Sequence, residues 1–204
     1  MIADSKEKLV EDFRVRTIQE AALRVIGSKG LADATIQEIA NEAGVAKGTI
    51  YLYFESKEDL VRRTAELALA ELRTRLEATV DVPRPLPEQI RSLVRAKIEF
   101  FDAHREFFRI YLAASKGDMD RDRRQTPEYQ RNLQRWAAVL TEAMDRGEIR
   151  RMDPLRLTAF MAEGVNAIVL RRLTEEDPPG AESDVEWIAS VLMHGVAAEG
   201  GSAS

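Results

Sequence analysis

The sequence predicts an all-α fold, on three observations. Apolar residues recur at helical spacing in stripe after stripe, and prolines and capping pairs stand where helices would begin. No stretch of comparable length alternates apolar and polar residues at the two-residue period of a half-buried strand. With 204 residues, 45% hydrophobic and 32% charged, the chain can build a substantial core and is neither a disordered tail nor a membrane bundle.

The first stripe is Ile18, Ala21, Ala22, Val25 and Ile26. It predicts a helix near 13–28 that ends at Ser28-Lys29-Gly30, with Gly30 as a left-handed cap. Thr35-Ile-Gln-Glu38 has capping-box spacing, in which each end serves an orphan backbone N–H, and opens a helix near 35–42. A short helix follows near 46–53. Val61, Ala65, Ala68, Leu69, Leu72 and Leu76 mark a long one near 57–80. Ile90, Leu93, Val94 and Phe101 mark another near 87–104, followed by one near 106–114. Thr126-Pro127 and Asp153-Pro154 pair an N-cap residue with proline at the first helical position, where its missing N–H costs nothing. They open helices near 127–146 and 154–174. A second capping-box pattern, Ser183-Asp-Val-Glu186, predicts the start of a last helix near 184–198. The count is about nine helices without an internal repeat.

The last two helices are apolar on nearly every side. Between Leu157 and Leu170 only Thr158, Glu163 and Asn166 break the run, and Trp187 to Ala198 behaves likewise. A helix apolar all round needs cover on more than one side. The expected cover is the same pair from a second copy, packed as a four-helix bundle about a two-fold axis; the alternative is that both are central helices of a monomer.

Thr35–Asp59, TIQEIANEAGVAKGTIYLYFESKED, is the most informative stretch. Two short helices join at Asn41-Glu-Ala-Gly44, with Ala40 small where they cross and Gly44 able to take the positive φ of a tight turn. Ile36, Ile39, Val45 and Ile50 supply the wedge that sets an interhelical angle of about 90–120°. The helix after the turn has small residues at Ala46, Gly48 and Thr49, which let backbone approach a surface. Tyr51, Tyr53, Lys47 and Lys57 carry hydroxyls and cations suited to phosphate oxygens. Residues 51–54 are all bulky and consecutive, so they cannot share one helix face and part of the set must point outward.

From Thr35-Ile-Gln-Glu-Ile-Ala40 through GVAKGTIYLYFESKEDL the sequence resembles the TetR family of bacterial transcriptional regulators. The resemblance implies a helix-turn-helix DNA-binding domain, residues 1–56, and a ligand-binding and dimerisation domain, residues 57–204. It also implies a homodimer through the last two helices, a double-stranded DNA operator, and a small-molecule effector that releases a repressor. The positions carried over as DNA contacts are Thr35, Ala46, Lys47, Gly48, Thr49, Tyr51, Leu52, Tyr53 and Lys57. Leu52 can touch a thymine methyl but cannot hydrogen-bond a base edge, which favours Thr49 and Lys47 for base readout.

Charge sets a constraint. The chain carries −5 overall, and residues 1–57 hold eight Lys/Arg against nine Asp/Glu, so the head is not basic. Glu20, Glu38 and Glu42 are expected to face away from DNA, and Lys6, Lys8, Arg14 and Arg16 offer a basic arm. Few phosphate contacts predict a modest salt slope, so specificity rests on two half-sites of an inverted repeat, their centres about 34–36 Å apart or a multiple of it.

In the body, Phe101, Phe107, Tyr111, Trp136 and Phe160 supply aromatic surface for core or pocket. His104, Glu163 and Asn166 are polar residues on apolar helices that each need a partner, another side chain or a ligand. These eight residues are the expected pocket, suited to a lipophilic or aromatic effector. His104 also stands where it can cap a helix C-terminus.

Other function classes find little support. There is no cysteine, no phosphate-binding glycine loop, and no histidine spacing of a zinc site; no catalytic residue, metal or cofactor is expected. Gly117–Asp122 resembles the start of a calcium loop but has Arg123 where glycine is needed and Tyr129 where glutamate is needed. No apolar run or N-terminal leader pattern indicates a membrane or export, so the expectation is a cytoplasmic non-enzyme. The rival reading is a helical ligand-binding or protein-interaction module whose head no longer reads DNA.

Overall fold

A computed structural model describes residues 2–80, 84–114 and 126–196. Among these residues it is all-helical: α1 Ile2–Lys29, α2 Ile36–Ala43, α3 Lys47–Tyr53, α4 Lys57–Val80, α5 Leu86–Ala103, α6 Arg105–Ala114, α7 Pro127–Asp145, α8 Pro154–Thr174 and α9 Ala181–Val196. The calcium-like stretch from Gly117 lies outside the described residues.

Most boundaries follow the local chemistry. Thr35 accepts from the backbone N–H of Glu38 while Glu38 accepts from the backbone N–H of Thr35, a complete capping box. Thr126 and Asp153 cap α7 and α8, each followed by proline. Gly44 ends α2 in the left-handed region at φ 67°, and the Val45 N–H reaches back to the Ala40 carbonyl at 2.9 Å. Ser56 accepts from the Asp59 N–H at 3.1 Å, and Asp59 accepts from the Glu55 N–H at 3.2 Å, a cap on α4 that the stripe alone does not disclose.

Two starts differ from expectation. Helix α1 begins at Ile2, not near 13. Lys8 to Arg14 are all exposed, Leu9 and Phe13 among them, so no apolar stripe marks that stretch even though Lys, Glu and Leu favour helix. Helix α9 begins at Ala181, so Ser183 lies inside the first turn and the predicted capping box there does not form. The Ser183 N–H bonds the Gly180 carbonyl, and the acids that follow are drawn to arginines: Asp184 to Arg172 and Glu186 to Arg91.

The chain forms two compact units. The first holds Met1–Glu71 and His104–Lys116, with α1 packed on α2 and α6, and α2 on α3. Its core includes Ile18, Ile26, Ile39, Ala40, Ile50 and Phe108. The second holds Leu72–Ala103 and Gly117–Ser204, with α5 against α8 and α9, and α7 against α8. Its core includes Ile90, Val94, Ile98, Phe100, Leu140 and Val185. Arg172, 4% exposed, ties α8 to α5 through Asp102 and to α9 through Asp184, at 2.5 and 2.6 Å. Helix α4 contributes residues to both units.

Candidate nucleic-acid interface

Helix α3 has seven residues, too few to hold itself together, so tertiary anchors must fix it. Ile50 and Phe54 are those anchors, both buried. The Arg63 guanidinium lies 4.6 Å from the centre of the Phe54 ring and donates to the Tyr53 carbonyl at 2.5 Å. The Gln19 side chain donates to the Arg63 carbonyl at 2.8 Å, closing the brace onto α1.

With its inner side anchored, α3 presents Ala46, Lys47, Gly48, Tyr51 and Leu52 outward. Tyr51 is 52% and Leu52 79% exposed, while Thr49 and Tyr53 lie half-buried at the margin. The bulky run 51–54 thus divides between outside and core. A Cβ built on Gly48 meets nothing within 4 Å, so no contact inside the protein requires glycine there. Glycine in a helix costs about 1 kcal/mol relative to alanine.

The two flanking candidates are engaged within the head. The Thr35 hydroxyl accepts from the Glu38 N–H at 3.2 Å and donates to the Glu38 carboxylate at 2.9 Å. Lys57 is half-buried and donates to the Leu31 carbonyl.

Three acids of the head are partnered by cations of α1. Glu20 pairs with Arg16 at 3.2 Å, Glu42 with Arg24 at 2.7 Å and Glu38 with Lys29 at 2.6 Å. Hydrogen bonds from Lys29 first, then from the backbone and hydroxyl of Thr35, lower the Glu38 pKa to about 2. Lys47 makes no ion pair with any described residue, so its charge stays available at the surface of α3. Of the expected basic arm, Lys8 and Arg14 are exposed, Arg16 is taken up by Glu20 and Glu71, and the Lys6 side chain lies outside the described residues.

The second unit contains a cavity of about 60 Å³, walled by α4, α5, α7, α8 and α9. Of the eight residues expected in a pocket, Trp136 lines it. Asn166 stands behind the wall and accepts from Lys97, which does line it. Glu163 accepts from the Tyr129 hydroxyl at 2.9 Å. Phe101 packs edge-on against Phe100 and is no part of the wall. Phe107 and Tyr111 belong to the first unit, where their rings stack 6.4 Å apart. His104 lies in the turn between α5 and α6, and its carbonyl accepts the Phe108 N–H. Phe160 faces outward, 69% exposed. Sequence reasoning missed Lys97 and Asn132 on the wall. Lys97 interrupts an apolar stripe, and Asn132 precedes Trp136 by four residues, the spacing of one helix face.

Among the described residues no helix is long and apolar enough to cross a membrane, and no group of His, Cys, Asp and Glu could hold a metal ion.

Residues 18–64, which span α2, α3 and their supports, match bacterial regulatory proteins of the tetR family. The HTH-type transcriptional regulator BetI of Brucella anthropi is 26% identical over 194 residues, covering 90% of this chain and 96% of that protein. YerO of Bacillus subtilis, an HTH-type transcriptional regulator, is 32% identical over 97 residues, and that match spans 34% of its length. The transcriptional regulator FadR of Bacillus subtilis, solved in complex with stearoyl-CoA, shares the fold at a TM-score of 0.68 and 20% identity over 89% of this chain and 98% of that one. A helix-turn-helix with its second helix anchored from behind and open in front is thus what residues 18–64 share with the bacterial regulatory proteins of the tetR family.

Proposed function

We propose that the chain acts in the cytoplasm as a homodimeric repressor that binds an inverted-repeat operator through α3 and leaves it when a small lipophilic or aromatic effector binds the body. The observation that carries the DNA reading is the outer side of α3. Lys47 is exposed and without an ion pair among the described residues, Tyr51 and Leu52 project, and Gly48 leaves the backbone approachable. Those features serve a surface that comes from outside, and a DNA groove is such a surface. The relatives that match are transcriptional regulators, which favours this over a head that has lost DNA. They also favour a non-enzyme.

The homodimer reading is supported by α8 and α9, where Leu155, Phe160, Leu170, Trp187 and Val191 are each about half or more exposed. Apolar surface of that extent on adjacent helices is what a second copy would cover. Release by an effector needs two states of the dimer with different affinities. Moving the population from 1:99 to 99:1 takes about 5.5 kcal/mol of differential binding. Helix α4, which supplies residues to both units, is the continuous element that can carry the change between body and head.

Selection of bound sequences from a random DNA pool tests the proposal. The expected product is a two-fold inverted repeat, lost in Lys47→Ala and Tyr51→Ala variants that still fold. Recovery of single asymmetric half-sites, or no enrichment, would overturn it.

A further inference from the structure

Helix α3 turns one row of side chains directly away from the protein. Ile50 is fully buried and marks the inward direction. Gly48 and Leu52 each stand two residues from it, and at about 100° per residue both lie on the opposite side of the helix. They share that row as an i, i+4 pair. Lys47 and Tyr51 form the exposed row to one side, and half-buried Thr49 and Tyr53 lie to the other. The row that reaches furthest out therefore carries no polar side-chain atom. Nothing lies within 4 Å of the place a Cβ on Gly48 would take, so the backbone can come close to whatever the helix enters. Leu52 is 79% exposed, more than any other large apolar side chain among the described residues. Lys47–Tyr53 also holds no Arg, Asn, Gln, Asp or Glu, the side chains that pair bidentately with guanine or adenine or accept from cytosine.

We propose that Leu52 reads the operator by apolar contact with the C5-methyl group of a thymine in the major groove. That methyl is the apolar mark among the groups base pairs present there; the others are hydrogen-bond donors and acceptors. A leucine set against a donor or acceptor strips water from it and returns no bond, so Leu52 selects for the methyl and against an unmet polar edge. Lys47 and Tyr51 on one flank, and Thr49 and Tyr53 on the other, are left to the groove walls, where the phosphates stand. This shifts base readout from Thr49 and Lys47 to Leu52. It rests on the reading of α3 as a DNA-binding helix and names the chemical group that helix recognises. It also makes binding responsive to cytosine methylation, because 5-methylcytosine carries the same group at the same place in the groove.

The test uses the full chain and the inverted repeat selected from the random DNA pool, with each thymine replaced in turn by uracil, which lacks only the methyl. Dissociation constants are read by fluorescence anisotropy. One thymine per half-site should respond, its replacement weakening wild-type binding roughly 3–5-fold, the value of one buried methyl. Leu52→Ala should bind the thymine and uracil duplexes alike and, because Leu52 faces away from the core, keep the wild-type melting temperature. Any effect of uracil on the shape of the duplex is common to both proteins. Cytosine·guanine in place of that thymine·adenine pair should weaken wild-type binding. Methylating the cytosine at C5 should recover part of the loss in wild type and none in Leu52→Ala. A selected repeat whose every thymine can become uracil without loss, or a uracil effect of equal size in wild type and Leu52→Ala, would overturn the methyl contact and leave the DNA reading intact. Failure of the pool to enrich any sequence overturns the DNA reading and the methyl contact with it.

Discussion

Gly48 shows how a single residue can be chosen against the stability of its own helix. Its missing side chain leaves open space, so Gly48→Ala should stabilise α3 by about 0.5–1 kcal/mol. If the space receives DNA, the same substitution should lower operator affinity. Thermal denaturation and gel shift on one preparation would then move in opposite directions. Glu38 gives a second prediction at this scale. Its pKa is lowered to about 2 by Lys29 and Thr35, below the ordinary unfolded value of about 4.3. A depressed folded-state pKa means that its stabilising contribution is complete above about pH 4.3 and is lost as pH falls toward 2. A carboxyl NMR titration should find Glu38 ionised at pH 3.5, with the start of α2 fraying below that point. Much at this scale was legible in the sequence, because Thr35, Gly44, Pro127 and Pro154 act through bonds to near neighbours. The partners of Glu42 and Gln19 were not, since Arg24 and Arg63 lie 18 and 44 positions away.

At the scale of the element, α3 depends on its brace. Arg63 holds the Tyr53 carbonyl and covers the Phe54 ring, so Arg63→Ala should destabilise the head by about 1–2 kcal/mol and weaken DNA binding. Lysine should rescue poorly, because an ammonium cannot both lie flat on the ring and reach the carbonyl. Denaturant titration and gel shift of both variants check this. Helices with a buried face announced themselves through their stripes. The exposed stretch of α1 from Lys8 to Arg14 gave no such signal, and the Ser183 box was overridden by the pull of Arg172 and Arg91 on the acids beside it. The aromatic run from Phe100 to Tyr111 looked like one pocket in sequence, yet the turn at His104 splits it between two units. Which side chains wall a cavity depends on five helices meeting, and spacing along one of them does not encode that.

For the whole molecule, the outward apolar surface of α8 and α9 makes a clear prediction. Phe160→Asp and Trp187→Asp should shift the protein from dimer toward monomer, by more than tenfold in dissociation constant, while the second unit keeps its helix content. Sedimentation and circular dichroism check the two parts. Operator affinity should fall with dimer loss, because two half-sites then bind independently. The apolar character of the last two helices was plain in the composition, since few polar residues break either run.

The arrangement of α3 also bears on how such a protein could be given a new address. Ile50, Phe54 and the Arg63 brace seat the helix from behind, whereas Lys47, Tyr51 and Leu52 hold nothing in place. Retargeting to another operator can therefore exchange the three projecting side chains and leave the scaffold unaltered, as a key is recut without changing its bow.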